Sequence, residues 1–468
     1  MTKRFIGTSH CSILKTILII LISITVVPST LCQTKIRTNY PAGEPSFHKW
    51  AETPPMGWNS WDCYGPTVVE DEVKANADYM AEHLKKFGWE YIVVDIRWYV
   101  ANDKSGGYNE KDPVYNMDNY GRFLPAPNRF PSSANGKGFK PLADYVHSKG
   151  LKFGIHVMRG IPVLAVNTKL PVFGTNVHAG DISSAEGQCE WLKDMYTVDH
   201  TKTGAQEYYN SIMDMYAAWG IDFLKIDDLS SPYHTEEIEL IRKAIDQTGR
   251  KIVLSTSPGP TPIEQVNHLR QNANMWRTVG DFWDNWTQLK EQFSVLDRWA
   301  PFVNQGTWPD GDMLPLGHIG IRAERGNDRM SGFTEDEQYT LMSLFAVFRS
   351  PLMFGGDLQG SDKFTLSLLT NKEILYVNQH SINGKQLFRR NDLIAWTADD
   401  PETGDKYLAL FNAADHSGTA EISVKFEEMG LSGKHVISDL WSGQSLGKFV
   451  DVFSRAINHH GSGLYRIH

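Results

Sequence analysis

Two aspartates at the ends of short apolar runs carry the most chemistry in the chain: Asp227 in Phe223-Leu-Lys-Ile-Asp-Asp228, and Asp281 in Met275-Trp-Arg-Thr-Val-Gly-Asp281. A carboxylate at the C-terminal tip of a strand in a (β/α)8 barrel points into the mouth where such barrels hold their active sites. Two carboxylates facing one cleft suit cleavage of a glycosidic bond: one attacks or assists at the anomeric carbon, the other protonates the leaving oxygen. Lys225 lies two positions before Asp227 on the same strand face and favours its ionised form. Asp228 points by alternation to the opposite face, towards the layer between barrel and helices, and is expected to be structural.

Such a pair works only on a rigid scaffold. From about Pro54, short apolar runs alternate with amphipathic, helix-like segments, the pattern of a parallel α/β domain. Strands are expected at Met56–Asn59, Tyr91–Asp95, Lys152–His156, Phe223–Asp227, Lys251–Ser255, Met275–Thr278, near Phe302–Asn304 and at Pro351–Phe354. Helices are expected at Asp71–Lys86, Pro141–Lys149, Gly204–Trp219 and His234–Thr248. Eight strands closing on themselves make a (β/α)8 TIM barrel over residues 50–377. An open doubly wound sheet is disfavoured because no glycine-rich phosphate loop follows the first strand. The stretch from Arg159 to Lys202 is long for a barrel loop, and its Pro, Gly, Trp and Asp content suggests an ordered cover over the mouth. Residues 378–468 change character to short strands at Leu393–Trp396, Lys406–Asn412, Ala420–Lys425 and His435–Ser438, the pattern of an antiparallel β-sandwich. Asn412 and Trp441 there are expected to pack rather than to meet sugar.

A chain of 468 residues is long for one domain, which agrees with this division. Its 14 Trp and 18 Tyr include rings suited to the C–H faces of sugars, though most are expected in the core. A net charge of −9 without a long basic run argues against nucleic acid or an anionic membrane as partner. Lys3, Arg4 and Lys15 precede an apolar stretch, Ile17–Val27, that is too short to span a bilayer; small residues follow near Cys32. Residues 1–32 are therefore expected to be a signal peptide, with no membrane span and a secreted or periplasmic product. Leu31 is too large for the usual lipoprotein signal. Cys63 and Cys189 remain, which leaves free thiols or one bridge open and makes no zinc site by itself.

Thr53-Pro-Pro-Met-Gly-Trp-Asn-Ser-Trp61, Asp95 with Trp98, Leu224-Lys-Ile-Asp227, Arg277 with Asp281 and Trp286, and Asp310-Gly-Asp-Met313 together resemble glycoside hydrolase family 27. That family contains melibiase-type α-galactosidases, α-N-acetylgalactosaminidases and β-L-arabinopyranosidases. The resemblance runs in order over nearly the whole chain after the leader. It implies Asp227 as nucleophile and Asp281 as acid/base of a retaining mechanism, with carboxyl groups about 5–5.5 Å apart. It implies that Lys225 and Arg277 donate to sugar hydroxyls, that Trp61 is the wall beneath the sugar, and that Asp95 accepts from a hydroxyl near C4 or C6. Trp58 is expected in the core. A resting acid must keep its proton, for which a neighbouring carboxylate and an apolar wall such as Trp283 are expected. His156 stands where the family commonly has an aromatic; donation to substrate and a satisfied barrel histidine both stay open.

Two departures bear on the substrate. The resemblance implies a second aspartate after Asp95 in α-galactosidases, where this chain has Ile96. Losing that acceptor leaves a buried hydroxyl short of a partner, at about 1–3 kcal/mol. β-L-Arabinopyranose is the galactose ring without its hydroxymethyl group, so Ile96 favours that sugar. In Ser255-Thr-Ser-Pro-Gly-Pro-Thr-Pro262, Ser257 stands where α-galactosidases usually carry a glutamate for the 2-hydroxyl, and the extra room resembles the N-acetylgalactosaminidase arrangement. Neither cofactor nor metal is expected: Asp310-Gly-Asp312 is read as a structural turn, and His459-His460 as surface. The expected partner is a carbohydrate bearing terminal galactoside or arabinopyranoside units; a homo-oligomer is left open. A non-catalytic sugar-binding protein on a hydrolase scaffold is the alternative of another class.

Overall fold

Eight short strands, β1 (Met56–Asn59), β2 (Tyr91–Val94), β3 (Lys152–Met158), β4 (Phe223–Asp227), β5 (Val253–Thr256), β6 (Met275–Arg277), β7 (Trp308–Asp310) and β8 (Leu352–Phe354), pair in parallel in the order β7-β6-β5-β4-β3-β2-β1-β8. The computed structural model describes residues 43–468, so the expected signal peptide lies outside the described residues. Just beyond β7, Leu314 donates to the Met353 carbonyl (2.8 Å) and accepts from the Gly355 N–H (3.0 Å), which joins β7 to β8 and closes the ring into a (β/α)8 barrel.

Alternation along the strands sorts side chains into two layers. Tyr91, Val93, Phe223, Val253, Met275 and Trp308 fill the barrel interior. Ile92, Val94, Leu224, Ile226, Leu254 and Trp276 face the helices. Both faces are buried, so the strands read as continuous apolar runs rich in β-branched residues. Gly57 and Gly154 make the interior possible: a Cβ on Gly57 would stand 2.6 Å from the Tyr91 Cβ, and one on Gly154 2.9 Å from the Phe223 Cβ. The Tyr91 and Phe223 rings meet in that space, 5.3 Å between centroids.

The seventh strand differs from expectation. Ala300–Phe302 is a 3-10 turn and the strand starts later, at Trp308. Pro301 has no N–H for a ladder, which suits the turn instead. The helix expected over Asp71–Lys86 runs as an α-helix over Glu70–Tyr79, then as tighter and wider turns to Phe87. The long segment after β3 is ordered: Ile161–Pro162, Ser183–Ser184 and Met195–Val198 form a small antiparallel sheet with two short helices, Val163–Asn167 and Ala179–Ile182.

From Ile382 the chain is antiparallel, a six-stranded sheet beside a two-stranded one, around a separate core that includes Leu408, Val424 and Phe453. Phe411 packs against Phe293 of the barrel side at 5.0 Å. Asn412 donates to the Gly418 and Ile457 carbonyls, and the Trp441 indole to Ser343, so both serve packing. His460 corrects the expectation of a surface residue. It stacks on Trp286 at 3.6 Å and its Nδ1 bonds Glu337 at 2.7 Å, because it is caught between the barrel helices and the antiparallel sheet. Cys63 and Cys189 are both buried free thiols. Among the described residues no helix is long and apolar enough to cross a membrane.

Candidate active site

The alternation that fills the barrel also builds its mouth. Two steps beyond the last inward apolar residue of three strands the same face carries a polar one: Val93 leads to Asp95, Phe223 to Lys225 and Asp227, and Met275 to Arg277. With Trp61, Ile96, His156 and Asp281 these side chains line one cleft of ≈ 540 Å³. The cleft gathers eight of the nine residues expected from sequence. Ser257 is the exception: it is fully buried, its hydroxyl donates to Asp227 Oδ1 (2.8 Å), and Pro258 and Gly259 form that wall instead. The reason is local. The Leu229 N–H bonds the Ser257 carbonyl and the Ser257 N–H bonds the Ile226 carbonyl, which draws this residue against the tip of β4.

Asp95, His156 and Asp227 form a line across the mouth. His156 Nδ1 lies 2.7 Å from Asp95 Oδ1, and its Nε2 lies 3.3 Å from Asp227 Oδ2. The ring thus stands between the two carboxylates, hydrogen-bonded to Asp95 through Nδ1 and in contact with Asp227 through Nε2. Lys225 approaches Asp95 Oδ2 at 3.8 Å. Burial alone would push the Asp227 carboxyl up, but His156, Lys225 and the Ser257 hydroxyl outweigh it and hold the group below its ordinary value. Asp95 is likewise held well below the usual carboxylate range: burial opposes ionisation, and His156, Lys225 and the Ile96 N–H overcome it. Lys225, raised by Asp95 and Asp227 against the cost of burial, stays a cation.

Asp281 is not at a strand tip, contrary to the sequence reading. β6 ends at Arg277, whose guanidinium bonds the Val279 and Gly280 carbonyls (3.3 and 2.7 Å) and folds the following loop back over the mouth. Arg277 also pairs with Asp312 (2.8 Å) and reaches Asp281 (3.3 Å); Arg325 meets the other Asp281 oxygen at 3.5 Å. The Asp281 side chain is 46% exposed. Trp283 does border the cleft, but two guanidiniums are the groups in contact with this carboxylate, rather than an apolar pocket.

Several cleft residues were missed from sequence. Asp62, directly after Trp61, is buried with its Oδ2 lacking a hydrogen-bond partner among the described residues. Burial, then Asp312, push its carboxyl well up against the pull of Lys225. Its adjacency to a tryptophan already singled out was the available signal. Asp312 is more than a turn residue: it lines the cleft, pairs with Arg277 and accepts from the Phe282 N–H at 2.8 Å. Tyr108, Trp191, Glu324 and Arg325 come from loops without periodic pattern. Asp228 faces away, paired with Arg159 at 2.9 Å, as alternation requires.

Comparison with known proteins agrees with this geometry. The family model described as Alpha galactosidase A matches residues 53–201 and 196–380, and that of the alpha galactosidase C-terminal beta sandwich domain matches residues 390–467. A β-L-arabinopyranosidase of glycoside hydrolase family 27 from Geobacillus stearothermophilus is 51% identical, with a TM-score of 0.88 over 90% of this chain and 97% of its own. Alpha-galactosidase 2 of Arabidopsis thaliana is 28% identical over 89% of this chain and 90% of its own. The alpha-N-acetylgalactosaminidase of Gallus gallus is 26% identical over 88% of this chain and 92% of its own.

Proposed function

The chain belongs to the alpha galactosidase A family, glycoside hydrolase family 27, and is an O-glycosyl hydrolase; we propose that it removes terminal β-L-arabinopyranosyl units in preference to α-D-galactopyranosyl ones. The observation that carries this preference is Ile96. It borders the cleft directly after Asp95, where a second carboxylate would receive a hydroxymethyl group. An apolar wall there offers the 6-hydroxyl no acceptor, and burying that hydroxyl unpaired costs about 1–3 kcal/mol. The similarity to an arabinopyranosidase at 51% identity supports the same choice.

In this reading Asp227 attacks the anomeric carbon as the glycosidic bond breaks, and the leaving oxygen takes its proton from Asp281. A covalent glycosyl ester results. Asp281 then removes a proton from water, which attacks the same carbon, frees Asp227 and restores the original configuration. The depressed carboxyl of Asp227 suits a nucleophile that must be ionised. Arg277 and Lys225 lie where charged donors can hold ring hydroxyls, and Trp61 offers the face beneath the ring. The basic and then apolar composition of residues 3–27 supports export.

Paired nitrophenyl substrates test the glycone. A higher kcat/KM for β-L-arabinopyranoside than for α-D-galactopyranoside is expected. Galactoside preference would overturn the reading of Ile96, and inertness towards both would turn attention to an N-acetylated sugar. The configuration of the first-formed sugar, followed by NMR, tests retention.

A further inference from the structure

Outside the polar mouth, three aromatic rings make a strip that climbs from the floor of the cleft to its rim. Trp61 and Tyr108 stand 6.0 Å apart between centroids, Tyr108 and Trp191 6.2 Å, and each pair is tilted by 33°. All three border the cleft. Trp191 is 38% exposed, a large apolar side chain left facing the opening. Its position is built rather than incidental. Arg97, fully buried one residue past Ile96, stacks its guanidinium 5.3 Å from the centre of the Tyr108 ring. The same guanidinium donates to Asp103 (3.0 Å) and the Asn109 carbonyl (3.2 Å) on the loop of Tyr108, and to Asp194 (2.9 and 3.3 Å) on the segment of Trp191. Tyr115 bonds Asp194 as well, at 2.5 Å. This buried charge network ties two separate loops to the strand end that carries Asp95.

We propose that Tyr108 and Trp191 form an acceptor subsite for the pyranose ring of the leaving group, so that the enzyme cleaves its terminal unit from another sugar rather than from a small alcohol. The inference rests on the glycosidase reading above. A flat aromatic strip meets the C–H face of a pyranose, while Glu110, Glu324 and Arg325 along the same cleft supply partners for its hydroxyl edge. That polar edge favours a hydroxylated ring over an aryl or lipid group. The segment between Arg159 and Lys202 thereby gains a role, since it delivers Trp191 to the rim.

The test compares one glycone on two leaving groups: a (1→6)-linked disaccharide on a hexopyranose, and the glycosyl fluoride, which has no ring to stack. Trp191→Ala should lower the disaccharide-to-fluoride ratio of kcat/KM about tenfold, the size of a lost aromatic contact, and Trp191→Phe should recover most of it. An unchanged ratio would overturn the subsite, as would a loss confined to a nitrophenyl glycoside. If the wild-type protein hydrolyses neither substrate, saturation-transfer NMR on the disaccharide separates the two ideas. Contacts to its hexopyranose ring that vanish in Trp191→Ala keep the subsite and reject the hydrolase reading; their absence from the wild type rejects both.

Discussion

The Nε2 atom of His156 lies 3.3 Å from Asp227 Oδ2, so the candidate nucleophile is touched by a ring whose other nitrogen is held by Asp95. His156 lowers the Asp227 carboxyl against the effect of burial. Removing it should therefore move the acid limb of the kcat/KM profile to higher pH. His156→Ala should also lower kcat/KM roughly ten- to hundredfold, since a hydrogen bond to a charged group contributes about 1.5–3 kcal/mol. A pH profile with an unmoved acid limb would mean that the ring orients Asp95 alone.

The two carboxylates should separate by leaving group. Asp227→Asn removes the attacking oxygen and should abolish turnover of every substrate while circular dichroism stays that of the wild type. Asp281→Ala removes the proton donor of the first step and the base of the second, and kcat/KM reports the first. Its kcat/KM should fall by roughly 10²–10⁴ on a disaccharide and far less on a glycosyl fluoride, whose leaving group needs no protonation. Equal losses on both substrates would assign Asp281 to binding.

Ile96→Asp restores an acceptor beside Asp95. The galactoside-to-arabinoside ratio of kcat/KM should rise about five- to hundredfold, corresponding to about 1–3 kcal/mol for a newly paired hydroxyl. Lys225, 3.8 Å from Asp95, is at hand to balance the added charge. If the ratio does not move, the 6-hydroxyl finds its partner elsewhere and Ile96 is not the determinant.

Much of this site was legible because β-strand alternation is strict. Once Phe223–Asp227 is read as a strand, Lys225 and Asp227 share the inward face and Asp228 does not, and the structure places all three so. Alternation says nothing of Ser257, which the family resemblance alone singled out: it lies past the end of β5, where backbone hydrogen bonds to β4 set its direction. Asp281 illustrates the limit from the other side. Its place over the mouth depends on the Arg277 guanidinium gripping two carbonyls, a contact that no periodicity announces. Tyr108 and Trp191 were illegible for a related reason: their loops are positioned by Arg97 with Asp103 and with Asp194, the last nearly a hundred residues away, a pairing that only burial brings together. The seventh strand was misplaced because Phe302–Asn304 is as apolar as its neighbours, and the weight of Pro301 was overlooked.

Asp310 ends β7, fully inside the protein, with the Asp312 N–H as a donor at 2.9 Å. Burial, then the charge of Asp312, raise its carboxyl to about 7, against the pull of Arg277. In the unfolded chain the same group titrates near the ordinary value of about 3.9. Between those two values the native state binds the proton and the unfolded state does not, so stability is full below about pH 4 and is lost as pH rises through about 7. Asp95 and Asp227, both depressed, act in the opposite sense: their stability is present above the unfolded value and is lost as pH falls towards the acid range. Asp310→Asn keeps the acceptor for the Asp312 N–H but carries no titrating proton. Urea unfolding from pH 4 to pH 8 should show a decline in stability for the wild type that is shallower in the variant, by up to about 1.4 kcal/mol per pH unit for the one proton removed. Parallel curves for the two proteins would show that Asp310 is already ionised in the fold, held so by Arg277.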